Sequence, residues 1–166
     1  MYWEDGGQIV PPHDKAIIEE INAVDFSDIQ FAAKPENITL IDKNIDEAFQ
    51  NACVANGRLG DGDRSQLKVV FTSLHGTSIT AIPAVLQKAG YTQVHIVEEQ
   101  AEPNGNFPTV DSPNPEEPAA LAMALQKAEE VQADIVIGTD PDADRLGIAV
   151  RNHKGCLLYT SPSPRD

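Results

Sequence analysis

The stretch "ADIVIGTDPDADRLGIAV" (residues 133–150) holds two apolar segments separated by three aspartates, Asp140, Asp142 and Asp144. Its β-branched residues predict a strand on each side of the acidic turn. A parallel return would need a connection of about a dozen residues or more, so this short turn makes the two strands antiparallel. The stretch therefore predicts a hairpin that carries three carboxylates at its tip.

The sequence before this hairpin alternates between strand and helix patterns. The segments "LKVVFTSL" (67–74) and "TQVHIVEE" (92–99) are rich in β-branched residues, which is typical of strands. An apolar stripe at helical spacing lies between them and ends at Gly90, and a second helix is predicted to begin at Asn114 and Pro115. The order β-α-β-α-β-β predicts an α/β protein: a three-layer α/β/α domain with a small, mostly parallel four-stranded sheet whose last strand is antiparallel.

The first 66 residues follow a different pattern. The turn "DGG" (5–7) predicts a hairpin, residues 13–24 have helical spacing, "ITLI" (38–41) predicts a short strand, and a further helix is expected at about 45–55. The segment "NGRLGDGDRSQ" (56–66) is rich in glycine and charge, which predicts a loop or linker. The chain is therefore expected to contain more than one structural region.

The composition narrows the class of protein. Of 166 residues 41% are hydrophobic, and 26 acidic residues against 12 basic ones give a formal net charge of -14. Such a charge disfavours binding to nucleic acids and anionic membranes. No apolar run reaches the ~18 residues of a membrane span, and the pattern of a signal peptide is missing, so we expect a cytoplasmic protein. A phosphorylated ligand would need a metal ion, local cations or backbone N–H groups to hold it.

The acidic turn is a candidate metal site. Carboxylates at alternate positions of a turn can direct their oxygens at one hard cation, and Mg²⁺ typically takes a few carboxylates. A solvated acidic turn or a non-catalytic metal-binding module is the simpler alternative, because Asp is common in turns. An EF-hand is excluded, since it requires Gly and Glu where this loop has Arg145 and Arg151. A haloacid-dehalogenase-type phosphatase, whose DxDx(T/V) motif carries an aspartate nucleophile, fits less well because Asp144 occupies the Thr/Val position.

The segment "TSLHGTS" (72–78) is a second candidate site. Backbone N–H groups between a strand and a helix can receive a phosphate or a carboxylate. The segment lacks the GxxxxGK(S/T) of a P-loop, which argues against nucleotide binding. His75 is a candidate substrate-binding residue, although a structural, hydrogen-bonded histidine is the favoured interpretation. A third segment, "NGNFPTVDSPNPEE" (104–117), predicts a rigid surface loop.

Four stretches occur together in one order: "YWEDGGQIVPPHDKAIIEEI" (2–21), "FTSLHGTS" (71–78), "NFPTVDSPNPEE" (106–117) and "GTDPDADRLGIAV" (138–150). In this combination the chain resembles the α-D-phosphohexomutase family, in particular its bacterial phosphoglucomutase/phosphomannomutase branch. The resemblance covers most of residues 2–155.

The resemblance implies an isomerase that interconverts hexose 1-phosphates and hexose 6-phosphates, with glucose as the first expectation for the sugar. Family members have four domains; the first supplies an active-site phosphoserine and the second a Mg²⁺ loop. On this pattern Asp140, Asp142 and Asp144 would bind Mg²⁺, a phosphoserine oxygen would complete the site, and Arg145 would stabilise the reacting phosphoryl group. The implied partner is a phosphorylated hexose.

The chain also departs from the family pattern, because it contains no serine loop of the TASHN type, no sugar-recognition loop and no phosphate clamp. The resemblance therefore implies a fragment that is inactive alone. Residues 1–42 would be the end of domain I, 43–66 a connecting helix and linker, and 67–155 domain II. The remaining "CLLYTSPSPRD" (156–166) resembles a translated sequencing adapter, and we predict that it is not native.

Overall fold

The computed structural model describes residues 2–160, and the chain divides into two compact units, Met1–Leu40 and Ile41–Asp166. The first unit contains helix α1 (His13–Ala23), which confirms the helix expected there, and two short 3₁₀ turns. An isolated antiparallel bridge joins Tyr2 and Gln8. The strand predicted at 38–41 is wrong: within the described chain this segment pairs with no other strand, and an extended segment needs such a partner to form a ladder.

The second unit contains a mixed sheet of five strands with its helices. In chain order its elements are α2 (Lys43–Asn56), β1 (Lys68–Thr72), α3 (Ile82–Lys88), β2 (Gln93–Ile96), α4 (Ala122–Val131), β3 (Ile135–Thr139), β4 (Leu146–Arg151) and β5 (Leu157–Thr160). The strand order is β2-β1-β3-β4-β5. Strand β1 is parallel to β2 and β3, whereas β4 is antiparallel to β3 and β5. The α/β class and the antiparallel hairpin are confirmed, and no helix of the described chain has the length and apolar character of a membrane span.

The fifth strand corrects the predicted count of four. It lies in the segment 156–166. From the sequence we predict that this segment is not native, so the predicted sheet does not include it. Leu157 packs against the hydrophobic core, and the strand pairs with β4 from Ile148 to Arg151. An apolar "LLYT" next to an open sheet edge is sufficient to form such a ladder. Residues 161–166 lie outside the described residues.

The core lies between α4 and one face of the sheet. Its buried residues are Val70, Val97, Ala124, Ala128, Ala133, Val136 and Ala149. Val69 and Phe71 alternate with Val70 along β1 and are buried as well, so they lie on the opposite face of the strand. Both faces of β1 are therefore covered, which agrees with its continuous apolar sequence.

Helix α4 begins at Ala122 rather than at the predicted cap, Asn114. The Asn114 side chain does accept a hydrogen bond from the Glu116 N–H (3.1 Å). The Asn114 carbonyl, however, accepts from the Glu117 N–H (3.0 Å) and closes a turn. Pro118 has no N–H to donate to Asn114 in an α-helix, so the chain passes through successive turns before α4 begins.

Candidate metal centre

The acidic turn, residues 140–145, connects the end of β3 to the start of β4. Asp140 is fully buried, whereas Asp142 and Asp144 are exposed. One carboxylate oxygen from each aspartate can be chosen such that all three lie within 4.8 Å of one another. The structure thus brings the three predicted ligands together, one inside the protein and two at its surface.

Arg145 is the main partner of the buried carboxylate. Its backbone N–H donates to Asp140 Oδ1 (2.9 Å), and its Nε donates to Asp140 Oδ2 (2.8 Å). The same Nε lies 3.7 Å from Asp144 Oδ1. Burial by itself would raise the pKa of Asp140, but the hydrogen bonds from Arg145 outweigh it and the pKa is lowered. The pairing with Asp140 also raises the pKa of Arg145, so the folded chain holds a carboxylate beside a guanidinium.

A second loop, residues 73–78, packs against the acidic turn. The Thr77 N–H and Oγ1 both donate to the Pro141 carbonyl, at 2.9 and 3.2 Å. Gly76 makes this approach possible, because a Cβ at that position would lie 2.4 Å from Pro141 Cα. The sequence predicts backbone N–H groups available to an anion in this loop, but the N–H of Thr77 is bound to the protein itself.

His75 belongs to the same loop and is only 5% exposed. Its Nδ1 lies 3.1 Å from the Glu102 carbonyl oxygen, and its Nε2 lies 2.9 Å from Thr109 Oγ1. Both ring nitrogens therefore have protein partners, as in the structural interpretation that the sequence favours. A substrate could bind this ring only by displacing one of them.

Gln100 is a residue of this region that the sequence does not single out. It is fully buried; its Oε1 accepts from Thr72 Oγ1 (2.6 Å) and its Nε2 donates to Thr109 Oγ1 (3.0 Å). Two glutamates precede it, a pattern typical of a solvated strand end, so no local signal indicates its burial. The loop around Thr109, predicted to be a surface loop, is thus joined to β1 from inside the protein.

Comparison with known proteins identifies relatives of this chain. The family model described as "Phosphoglucomutase/phosphomannomutase, alpha/beta/alpha domain II" matches residues 47–155. A probable phosphomannomutase of Haemophilus influenzae is 37% identical over 150 residues, which cover 90% of this chain and 30% of the relative. A phosphoglucomutase of Staphylococcus saprophyticus is 38% identical over 157 residues, which cover 91% and 28% respectively. The chain spans less than a third of the length of these curated relatives.

Solved structures show the same fold. A phosphoglucomutase/phosphomannomutase family protein from Burkholderia thailandensis superimposes with a TM-score of 0.53 at 24% identity, over 69% of this chain and 23% of that protein. A putative phosphomannomutase from Thermus thermophilus gives a TM-score of 0.53 at 25% identity, over 64% and 24%. The resemblance read from the sequence is confirmed, and the chain belongs to the phosphoglucomutase/phosphomannomutase family, whose α/β/α domain II it contains.

Proposed function

We propose that this chain supplies the metal-binding domain of a phosphohexomutase, an isomerase that moves a phosphoryl group between the 1- and 6-positions of a hexose, with glucose as the first expectation. One observation carries the proposal: three aspartates converge at the end of β3 in a chain of this family. Ligands of open α/β sheets gather at the carboxyl ends of the parallel strands, which is where this turn lies.

The residues of the turn fit Mg²⁺. Carboxylate oxygens are the ligands that this ion prefers, and it retains sites for water or phosphate oxygen. Asp140 provides a fixed and buried carboxylate, while Asp142 and Asp144 are accessible from solvent. Arg145 offsets only one of the three negative charges, so a divalent cation would relieve the remaining repulsion. When bound, Mg²⁺ would spread the charge that develops on the transferring phosphoryl group.

Arg145 has two functions in this proposal. Its backbone N–H and Nε hold Asp140 in place. A guanidinium has five N–H donors, and its terminal nitrogens are suited to phosphate oxygens. The side chain is 36% exposed, and we assign its terminal nitrogens to the reacting phosphoryl group. Arg145 is therefore the catalytic residue that we propose for this domain.

The phosphoserine of the family is not encoded in these 166 residues, since no serine loop of the TASHN type occurs in them. We therefore infer that this chain alone does not convert glucose 1-phosphate. An aspartate-nucleophile phosphatase, with Asp140 or Asp142 as the nucleophile, has less support because Asp144 occupies the Thr/Val position of its motif. In addition, both oxygens of Asp140 already accept hydrogen bonds from Arg145. A non-catalytic metal module would be favoured by binding of Ca²⁺ as tight as that of Mg²⁺.

A chimeric enzyme tests the proposed function. Residues 47–155 replace the matching segment of the Staphylococcus saprophyticus phosphoglucomutase, and conversion of glucose 1-phosphate and mannose 1-phosphate is measured with and without Mg²⁺. We expect a Mg²⁺-dependent mutase in which Asp142→Asn lowers kcat by about a hundredfold or more, as for loss of a group that stabilises transition-state charge. Asp111→Asn changes an exposed carboxylate outside the turn and serves as the matched control. A folded chimera without activity, or equal activity of the two variants, would overturn the proposal.

A further inference from the structure

A continuous series of hydrogen bonds joins the end of β1 to the loop that contains Thr109. The Leu74 N–H donates to Thr72 Oγ1 (3.1 Å), and this hydroxyl donates to Gln100 Oε1 (2.6 Å). The Gln100 Nε2 then donates to Thr109 Oγ1 (3.0 Å), which lies 2.9 Å from His75 Nε2. Thr72 and Gln100 are buried, so the bonds at Thr72 are shielded from water and strengthened, whereas the two bonds to the half-buried Thr109 are partly shielded.

The tautomer of His75, the last residue of the series, determines which atom donates in each hydrogen bond. The partner of His75 Nδ1 is the Glu102 carbonyl, which can only accept, so Nδ1 carries the proton. In a neutral imidazole the other nitrogen, Nε2, is then an acceptor, and the Thr109 hydroxyl donates to it. Thr109 Oγ1 is left to accept from Gln100, as observed. With the proton on His75 Nδ1, every donor in the series therefore has an acceptor.

These bonds hold an unfavourable backbone conformation. Leu74 and His75 have φ values of +47° and +62°, a left-handed region that residues other than glycine adopt at a cost. The His75 N–H donates to the Gln100 carbonyl (2.9 Å), and the His75 carbonyl accepts from the Asn104 N–H (3.0 Å). The backbone N–H and carbonyl of His75 and its imidazole ring therefore all hold the turn in place.

The turn at Leu74 and His75 also positions the next two residues, Gly76 and Thr77. Gly76 packs directly on Pro141, and the Thr77 N–H donates to the Pro141 carbonyl (2.9 Å). Pro141 stands between Asp140 and Asp142 in the chain. A displacement of the 74–77 turn would therefore change the separation of these two carboxylates.

We propose that His75 and Thr109 are positioning residues for the acidic turn: by fixing the 74–77 turn they fix Pro141, and through it the geometry of the proposed metal ligands. Only the predicted effect on Mg²⁺ binding depends on the proposed function. Its structural part, the transmission from Thr109 to Pro141, can be measured without a metal.

Two substitutions at Thr109 in the 166-residue chain test this proposal. Thr109→Val removes the hydroxyl but keeps the shape, Thr109→Ser restores the hydroxyl, and Thr92→Val is a control at an exposed threonine. Hydrogen exchange of the Thr77 amide is followed by NMR, and Mg²⁺ affinity by calorimetry. We expect Thr109→Val to speed this exchange by about fivefold, as for loss of one net hydrogen bond, and to weaken Mg²⁺ binding by about tenfold, the lower end for outer-shell partners. Thr109→Ser and Thr92→Val should retain wild-type values.

The outcomes separate this proposal from the proposed function. Unchanged Thr77 exchange in a folded Thr109→Val variant would overturn the positioning role, as would faster exchange with unchanged Mg²⁺ affinity. If the wild type does not bind Mg²⁺, the proposed metal site is wrong. The exchange rate of the Thr77 amide alone then tests whether Thr109 positions Pro141. If Thr109→Val does not fold, the imidazole ¹⁵N shifts of the wild type decide: a proton on His75 Nδ1 supports the hydrogen-bond series, and a proton on Nε2 contradicts it.

Discussion

Asp140 is held at both of its carboxylate oxygens by a single residue, Arg145, through the backbone N–H (2.9 Å) and Nε (2.8 Å). The hydrogen bond from Arg145 Nε alone would allow the Asp140 carboxylate to rotate. The second hydrogen bond, from the Arg145 backbone N–H, fixes the carboxylate relative to the backbone of the turn. One of the three proposed ligands is thus fixed by the fold, while Asp142 and Asp144 lie at the surface. This pairing gives the acidic turn a definite geometry.

Removing the Arg145 side chain should destabilise the fold. In Arg145→Gln we expect the free energy of unfolding at neutral pH to fall by about 2 kcal/mol, because a hydrogen bond to a charged group is lost and the Asp140 carboxylate stays buried. Urea denaturation measures this change. Arg58→Gln, at an exposed linker position, is the control, and equal losses in the two variants would contradict the assigned role of Arg145.

The same pair predicts how stability depends on pH. The pKa of Asp140 is lower in the folded chain than its ordinary value of 3.8, so its contribution to stability is fully present above that value and is lost as the pH falls through the folded pKa. The stability difference between wild type and Arg145→Gln should therefore be largest near neutral pH and shrink in acid below about pH 4. Urea denaturation of both proteins across this range measures it. A difference that stays constant would show that Arg145 does not act through the Asp140 charge.

Gly76→Ala should disturb the contact between the two loops. An added Cβ would lie 2.4 Å from Pro141 Cα and 2.7 Å from the Pro141 carbonyl oxygen, and such overpacking typically costs about 1–3 kcal/mol. Gly62→Ala, where a Cβ would meet open space, is the matched control. Denaturation by urea should show a loss of stability for Gly76→Ala only; wild-type stability of this variant would mean that the loops do not pack as described.

Local patterns in the sequence were sufficient to predict much of the fold. The strands β3 and β4 follow from two β-branched segments around a turn too short for a parallel return. The start of α4 could not be predicted in the same way, because a good cap at Asn114 competes with Pro118 four residues later, and the proline prevails. The strand predicted at 38–41 has the right composition but no neighbour in the described chain, and pairing depends on neighbours that composition does not reveal.

The sequence likewise predicts one part of the candidate site and not the other. Asp140, Asp142 and Asp144 belong to one turn, so their convergence is a local property that sequence spacing reveals. Gln100 and Thr109 act through partners that are distant in sequence: Thr72 lies 28 residues from Gln100, and His75 lies 34 from Thr109. Only the fold brings these polar side chains together, and each one alone is typical of a loop or strand end.

Truncation after Gly155 should separate the role of β5 from that of the metal site. Loss of the partly buried Leu157 and of the pairing with β4 is expected to lower the free energy of unfolding by about 1–3 kcal/mol. Because β5 pairs with residues 148–151 and not with the acidic turn, Mg²⁺ affinity should change by less than about twofold, as for distant sites. Urea denaturation and calorimetry measure the two effects, and a large loss of affinity would contradict this separation.

The predicted foreign origin of residues 156–166 is tested at the level of DNA. Resequencing the locus through the codon of Gly155 should show a different continuation. An uninterrupted genomic reading frame that encodes "SPSPRD" would contradict the prediction.

The most direct test of the proposed metal site is a calorimetric Mg²⁺ titration of the 166-residue chain. Asp142 is the residue to change, because it is exposed and its substitution should leave the fold intact. We predict one Mg²⁺ site in the wild type, an affinity at least about tenfold weaker in Asp142→Asn, and wild-type affinity in the control Asp111→Asn. Equal binding by wild type and Asp142→Asn would contradict the assignment of the three aspartates as the metal ligands.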